Sequence, residues 1–280
     1  AVGDLVHSLS AINNVTSAKE NNKVTIFLSE RSKKFNFLIE EPNVEIKILN
    51  YNLTIIEKIK LLIYFTKNKI DNVYILSPKK FFFFLPLFFR KIKFYAICIN
   101  NINNYKRPGL FLRKFLFKYE INERQNVFKR ESTRIIQNKL TATNSIIVPE
   151  KKYSKLLKKS DKLIKYLPNN YVYFHYKKER FDSLNWKLNE FKLLLDEFIK
   201  HYKNIVFTKD NIDDENSRIF KNIFNSYDFK TDNFINKNKN IIFLENIEGF
   251  DLFNVIGYAD KVVAFHGMMT NLASLLKKPV

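Results

Sequence analysis

Cysteine occurs once in the 280 residues, at Cys98. No intrachain disulfide and no cysteine-based zinc site can form, which fits a reducing compartment. Glycine (5) and proline (7) are scarce, and neither a G-x-G-x-x-G nor a P-loop pattern is present. Acidic residues are few: 28 against 48 basic ones, for a net charge of +20. A long membrane-spanning run is also lacking. The apolar stretch Phe81–Phe89 (FFFFLPLFF) is nine residues, and a spanning helix needs about 20.

The sequence is 46% apolar and 27% charged. That is ample for a packed core and excludes disorder, collagen-like repeats and coiled coil for the bulk of the chain. At roughly 150 residues per domain the length suggests two domains. The positive charge favours a polyanionic partner, although Lys dominates over Arg, and AT-rich codon usage supplies part of the excess. No nucleic-acid recognition module is visible, and the aromatic residues sit in apolar runs. Nucleic acid is therefore not expected as a partner. The chain opens on AVGDLV and closes on LLKKPV. These ends read as parts of a longer chain, with a first strand expected ahead of residue 1.

Short apolar runs alternate with amphipathic ones. Strands are expected at 23–29, 44–50, 72–77, 94–100, 145–148, 171–176, 204–208, 241–244 and 261–265. Helices are expected at 8–21, 55–67, 109–119, 132–140, 188–202, 217–226, 251–258 and 270–277. Such alternation implies an α/β fold with parallel sheets and right-handed crossovers. Two series meet at 149–170, where lysines interleave with leucines. This reads as a basic linker helix (151–170) between two Rossmann-like domains, 1–150 and 171–280.

Two segments could carry chemistry. Gly3-Asp4 precedes the run from Leu5 to Ile12, as in a turn from strand to helix. An acid there is favoured by the helix dipole and could accept a proton from an acceptor hydroxyl. Taken alone, Asp4 reads first as a helix cap. His7 could touch substrate nearby or make a structural hydrogen bond. The second segment runs from Phe265 through His266, Gly267, Met268, Met269, Thr270 and Asn271 to Pro279. An apolar strand enters a loop with one glycine, and a helix starts near Thr270. Unpaired amides at such a start make an anion site, suited to a diphosphate. The same pattern fits an ordinary strand–turn–helix with Thr270 as N-cap. His175 and His201 have no partner at metal-ligand spacing, and Cys98 reads as a buried strand residue.

The stretches GDLVHSLSAI (3–12) and ADKVVAFHGMMTNLASLLKKPV (259–280), with Trp186 between them, resemble the opening, late and central motifs of the family 9 glycosyltransferases, the heptosyltransferase-like enzymes. The resemblance implies a GT-B fold, two Rossmann-like domains with parallel sheets facing a central cleft. It implies an inverting, metal-independent transfer from a nucleoside-diphosphate sugar, as co-substrate, to a glycan or glycolipid acceptor such as lipopolysaccharide, with no cofactor and no metal. Asp4 would be the catalytic base, with Gly3 and His7 on the acceptor side. His266, Gly267, Met268, Met269, Thr270 and Asn271 would hold the donor phosphates. Lys178, or its neighbours Lys177 and Arg180, would neutralise the leaving diphosphate, and Glu215 would bind the ribose. Departures are His266 where many members have Asp, Asn271 where they have His, and Leu184 in place of a Lys. They motivate an alternative, a catalytically silent protein of this fold that binds an anionic glycan or membrane.

Phe81–Phe89 is flanked by Lys79, Lys80, Arg90, Lys91 and Lys93, and GLFLRKFLFKYE (109–120) mixes the same residue types. Such stretches suit an interfacial segment on an anionic leaflet, and equally suit buried segments with solvated ends. The resulting expectation is a bacterial cytoplasmic protein, peripheral on the inner face of the membrane.

Overall fold

The structure, a computed structural model, describes residues 2–17, 23–39, 41–100, 108–123, 131–142, 153–210, 214–237 and 239–280. The chain divides into two compact units, residues 1–151 and 152–280. Each is built of parallel strands and helices.

The first unit contains α1 (Val2–Thr16), β1 (Val24–Ser29), β2 (Val44–Leu49), α2 (Ile55–Lys67), β3 (Asn72–Ile75), α3 (Leu85–Phe88), β4 (Lys93–Asn100), α4 (Leu110–Arg113), β5 (Lys118–Glu123) and α5 (Thr133–Thr141). Short 3-10 segments cover Glu30–Ile39 and Lys80–Phe84. β1 and β2 pair in parallel, and β3, β4 and β5 form a separate parallel sheet in that order. α1 packs on α5, where Gln137 Nε2 donates to Ser8 Oγ at 2.8 Å.

The start of α2 follows from its sequence. Thr54 Oγ1 accepts from the Glu57 amide at 3.2 Å, and the Glu57 carboxylate accepts from the Thr54 amide at 2.8 Å. This reciprocal cap satisfies two amides that the helix leaves unpaired. Bonds from the Asn50 and Thr54 amides hold the Glu57 carboxyl down at about 2.

The second unit contains α6 (Asp161–Tyr166), β6 (Val172–Tyr176), α7 (Lys178–Ser183), α8 (Leu188–His201), β7 (Ile205–Lys209), α9 (Asp214–Ile223), β8 (Asn225–Asp228), β9 (Asn233–Ile235), β10 (Ile241–Glu245), α10 (Gly249–Tyr258), β11 (Lys261–Ala264) and α11 (Met268–Leu275). Its sheet runs β11-β6-β7-β10-β8-β9, all parallel except β9 against β8. Every residue of β6 is buried, as expected of a strand covered on both faces. Alternation sends Phe174 and Tyr176 into an aromatic core with Phe191, Phe207, Phe220 and Phe243. Tyr173 and His175 point to the opposite face.

Several expectations are corrected. α1 begins at Val2, so Gly3 and Asp4 lie in its first turn and not in a turn ahead of it. The amphipathic run 109–119 is a short helix followed by an edge strand, β5. The end of the expected helix 217–226 is strand β8. Residues 153–166 hold a 3-10 turn at Tyr153–Leu156 and then α6, with non-helical backbone at 157–160, and not one linker helix. Ser160 Oγ caps α6 by accepting from the Leu163 amide at 3.4 Å, so the break is encoded locally. The expected strand at 145–148 lies outside the described residues.

Phe81–Phe89 is mostly core. Phe83 and Leu85 are fully buried in a core cluster with Phe65 and Phe94, and Phe81, Phe82 and Phe89 pack against that cluster, Phe89 with its ring 5.4 Å from that of Phe65. Only Phe84 and Phe88 are exposed. Among the described residues no helix is long and apolar enough to cross a membrane.

Candidate donor site at the carboxyl edge of the second sheet

From β6 the chain moves outward through β7 and β8, then returns from β10 across the sheet to β11 on the other side of β6. The strand order therefore reverses between β6 and β11. Open α/β sheets bind ligands outside the carboxyl ends of the strands at such a switch point.

β11 pairs with β6 so that Ala264 faces His175. The next residues of each strand, Phe265–Gly267 and Lys177–Lys178, consequently emerge side by side. Gly267 caps α11 with φ 158° and ψ −147°, an extended positive-φ conformation that a Cβ disfavours. Its amide donates to Thr270 Oγ1 at 3.0 Å, and the Thr270 hydroxyl donates to the Gly267 carbonyl at 2.9 Å. Thr270 is thus the third helical residue, reaching back, and not the N-cap that the alternative reading of an ordinary strand–turn–helix made it. The first intrahelical amide bond is Asn271 to Gly267 O at 3.1 Å. The amides of Met268, Met269 and Thr270 have no intrahelical acceptor, and they point out of the positive end of the helix dipole.

The structure brings the late-motif residues together as one loop and helix start. His266 is exposed and Met269 is buried, with Met269 Sδ 3.5 Å from the Tyr173 hydroxyl. Lys178 opens α7 and is exposed; Glu215 lies in the first turn of α9, beyond β7, and is also exposed. Three adjacent strands, β11, β6 and β7, therefore lead into the elements carrying His266–Asn271, Lys178 and Glu215. Asp4, Gly3 and His7 belong to the first unit. Asp4 is exposed there, its carbonyl accepts from Ser8 Oγ at 2.8 Å, and His7 and Gly3 are half-buried.

A polar group beneath the switch point was not legible in sequence. Thr208 Oγ1 lies 2.5 Å from the Tyr173 hydroxyl and 2.9 Å from His175 Nδ1. His175 Nε2 lies 3.2 Å from Asp210 Oδ1. Burial pushes the Tyr173 hydroxyl well above the ordinary tyrosine range. For Asp210, burial works against ionisation. The His175 hydrogen bond and the charges of Lys177 and Lys209 outweigh it and hold the carboxyl below its ordinary value. The edge thus offers a stretch of backbone donors and several lysines near one carboxylate that is already engaged.

The first unit carries a second basic feature at its own carboxyl edge. Arg31 lies over the Tyr51 ring, 3.7 Å from its centroid, and Lys79 lies 4.7 Å from the same centroid. These residues follow β1, β2 and β3. Sequence marked Lys79 only as a flank of Phe81–Phe89 and did not single out Arg31 or Tyr51, because their meeting depends on the arrangement of three strands. Among the described residues no group of three or more His, Cys, Asp or Glu side chains could hold a metal ion.

No family pattern matches the sequence, and no curated protein matches it either. Solved structures do match. A family 9 glycosyl transferase from Veillonella parvula is similar with a TM-score of 0.65 at 11% identity, covering 100% of this chain and 76% of that one. The E. coli ADP-heptose heptosyltransferase II is similar with a TM-score of 0.64 at 13% identity, covering 99% and 80%. A UDP-GlcNAc 2-epimerase from Methanocaldococcus jannaschii is similar with a TM-score of 0.54 at 16% identity, covering 92% and 82%. The chain has the fold these proteins share, the GT-B fold of the family 9 glycosyltransferases and heptosyltransferases.

Proposed function

We propose that this chain is a glycosyltransferase that moves a sugar, heptose-like or hexose, from a nucleoside-diphosphate donor to a glycan or glycolipid acceptor such as lipopolysaccharide. The observation that carries the reading is the helix start at Gly267–Thr270, which opens at the β6/β11 switch point next to Lys177 and Lys178. Backbone amides and lysines together suit a diphosphate, whose negative charge grows as the sugar departs. The structural neighbours that include an ADP-heptose heptosyltransferase support the same donor class.

In this reading the amides of Met268, Met269 and Thr270 hold the diphosphate. Gly267 sets their direction, and His266 and Asn271 border them. Lys178 offsets the leaving-group charge and Glu215 takes the ribose hydroxyls. Asp4 accepts the proton of the attacking hydroxyl, with Gly3 and His7 beside it, and the anomeric centre inverts. Lysines and the helix dipole do the work a metal does elsewhere, so neither a metal nor a cofactor is needed. The acceptor is met at the anionic inner face of a bacterial membrane, a partner that the charge of +20 favours.

A second reading, a silent member of the fold, is favoured by His266, Asn271 and Leu184 at positions where the resemblance calls for Asp, His and Lys. Thermal shift against nucleoside diphosphates and nucleotide sugars separates the two. The transferase reading requires a rise in melting temperature with one nucleotide, lost in Gly267→Ala, and sugar transfer or donor hydrolysis abolished in Asp4→Asn. Nucleotide binding without any turnover would establish the silent reading. No binding of any nucleotide would reject the donor site.

A further inference from the structure

Helix α2 is apolar on both sides. Leu61 and Phe65 are buried on its inner face, Leu62 and Tyr64 pack against the Phe65 cluster, and the Tyr64 ring stands edge-on to Phe27. On the outer face Ile55, Ile59 and Ile63 follow one another at intervals of four residues, which places them in one stripe, and Ile56 lies beside them. Their exposures are 74%, 51%, 46% and 65%. A surface helix normally turns charged residues to solvent on this side, so four exposed isoleucines on 13 residues require a partner.

The surrounding charge identifies it. Lys60, Lys67 and Lys69 are exposed around the stripe and Lys58 is half-buried. The helix has one acidic residue, Glu57, and its carboxylate is committed to the amides of Thr54 and Asn50. A second copy of the chain fits poorly, because a two-fold contact through this face would set lysines against lysines. A 13-residue helix is about 20 Å long and about 10 Å wide, which gives roughly 200 Å², far below the roughly 800 Å² per partner of a stable interface. An apolar stripe bordered by lysines is instead the pattern of a helix lying in the plane of an anionic leaflet.

We propose that the outer face of α2 docks the protein on an anionic lipid surface, with the isoleucines seated among the acyl chains and the lysines at the headgroups. This rests on the membrane-side acceptor of the preceding reading for its purpose, and it names the element that makes the contact. The Phe81–Phe89 stretch is not that element, because its side chains mostly fill the core.

The test is sedimentation of the whole chain with phosphatidylcholine vesicles, with and without phosphatidylglycerol, and size-exclusion chromatography in parallel. The expected result is binding to the anionic vesicles only, reduced at least about tenfold in Ile55→Ser/Ile59→Ser/Ile63→Ser. Lys60→Glu/Lys67→Glu, which leaves every apolar contact in place, should weaken binding by at least about tenfold through two lost headgroup attractions. Circular dichroism of each variant verifies the fold. Wild-type chain that ignores anionic vesicles, or binding that survives both variants, would overturn the proposal. So would a dimer that the isoleucine variant dissolves, since a second copy would then be the occupant. Donor binding, followed by nucleotide thermal shift on the same variants, should be unchanged. Vesicle binding without nucleotide binding would sink the transferase reading alone, and the reverse would sink only this one.

Discussion

The imidazole of His175 bridges two neighbouring strands: its Nε2 lies 3.2 Å from Asp210 Oδ1 and its Nδ1 lies 2.9 Å from Thr208 Oγ1. The ring is only 6% exposed, and it stands at the carboxyl ends of β6 and β7, under the candidate donor loop.

Removing this ring leaves the buried Thr208 hydroxyl with fewer partners. His175→Ala should cost about 1–3 kcal/mol, read from urea unfolding. The pH dependence comes from Asp210. Its folded-state value is depressed, so its contribution is fully present above the unfolded value, about 3.9. It is lost as pH falls through the lower folded value. Melting temperature should therefore fall more steeply for the wild type than for Asp210→Asn as pH falls from about 4 towards 2. Parallel curves would contradict the pairing.

The cap of α11 separates two roles. Thr270→Ala removes the reach-back bond to Gly267 and should cost about 1 kcal/mol, while Thr270→Ser keeps the hydroxyl and most of the stability. Gly267→Ala forces a Cβ into φ 158° at a cost of about 1–3 kcal/mol, and it also turns the amides of Met268 and Met269. Nucleotide-induced stabilisation should persist in Thr270→Ser and disappear in Gly267→Ala. Loss in both or in neither would show that amide direction is not what holds the ligand.

Phe83 and Phe88 sit five residues apart in one apolar run with opposite fates. Phe83 is 2% exposed and Phe88 is 70% exposed. Phe83→Ala should cost about 3–5 kcal/mol through the cavity it leaves, whereas Phe88→Ser should stay within about 0.5 kcal/mol. Chemical denaturation of the two variants checks this, and similar losses would mean that the run packs otherwise.

Cys98 is buried in the middle of β4, and burial pushes its thiol up to about 11. The thiolate is the reactive form, so a disulfide reagent should modify native protein only slowly, at a rate that rises with denaturant. Rapid labelling at neutral pH would show that β4 is exposed.

The legibility of the fold divides along a physical line. β6, β7 and β10 were readable because a parallel strand buried on both faces is a continuous apolar run, as in VYFHY or IIFLE. α2 was readable as an amphipathic run over 55–67, while the Thr54–Glu57 cap that sets its start was seen only in the structure. The strands β5 (KYEINE) and β8 (NSYD) were not, because strands at or near a sheet edge need little apolar sequence, and their neighbours read as helix. The Phe81–Phe89 run was ambiguous by sequence, since burial in a core and contact with a membrane call for the same residues.

The site divides in the same way. The loop from His266 to Asn271 was found from sequence, because a strand, one glycine and a helix start within a dozen residues form a local pattern. What sequence alone determined is therefore what short-range chemistry encodes: periodicity, the α/β alternation and the donor-loop segment. Tertiary structure decided what depends on distant residues meeting. It set His175 between Thr208 and Asp210, and Arg31 and Lys79 on Tyr51. It buried Phe83 and left Phe88 and the α2 isoleucines outside. Those outcomes follow from strand order and crossover direction, which bring together residues tens of positions apart, and no local pattern records that.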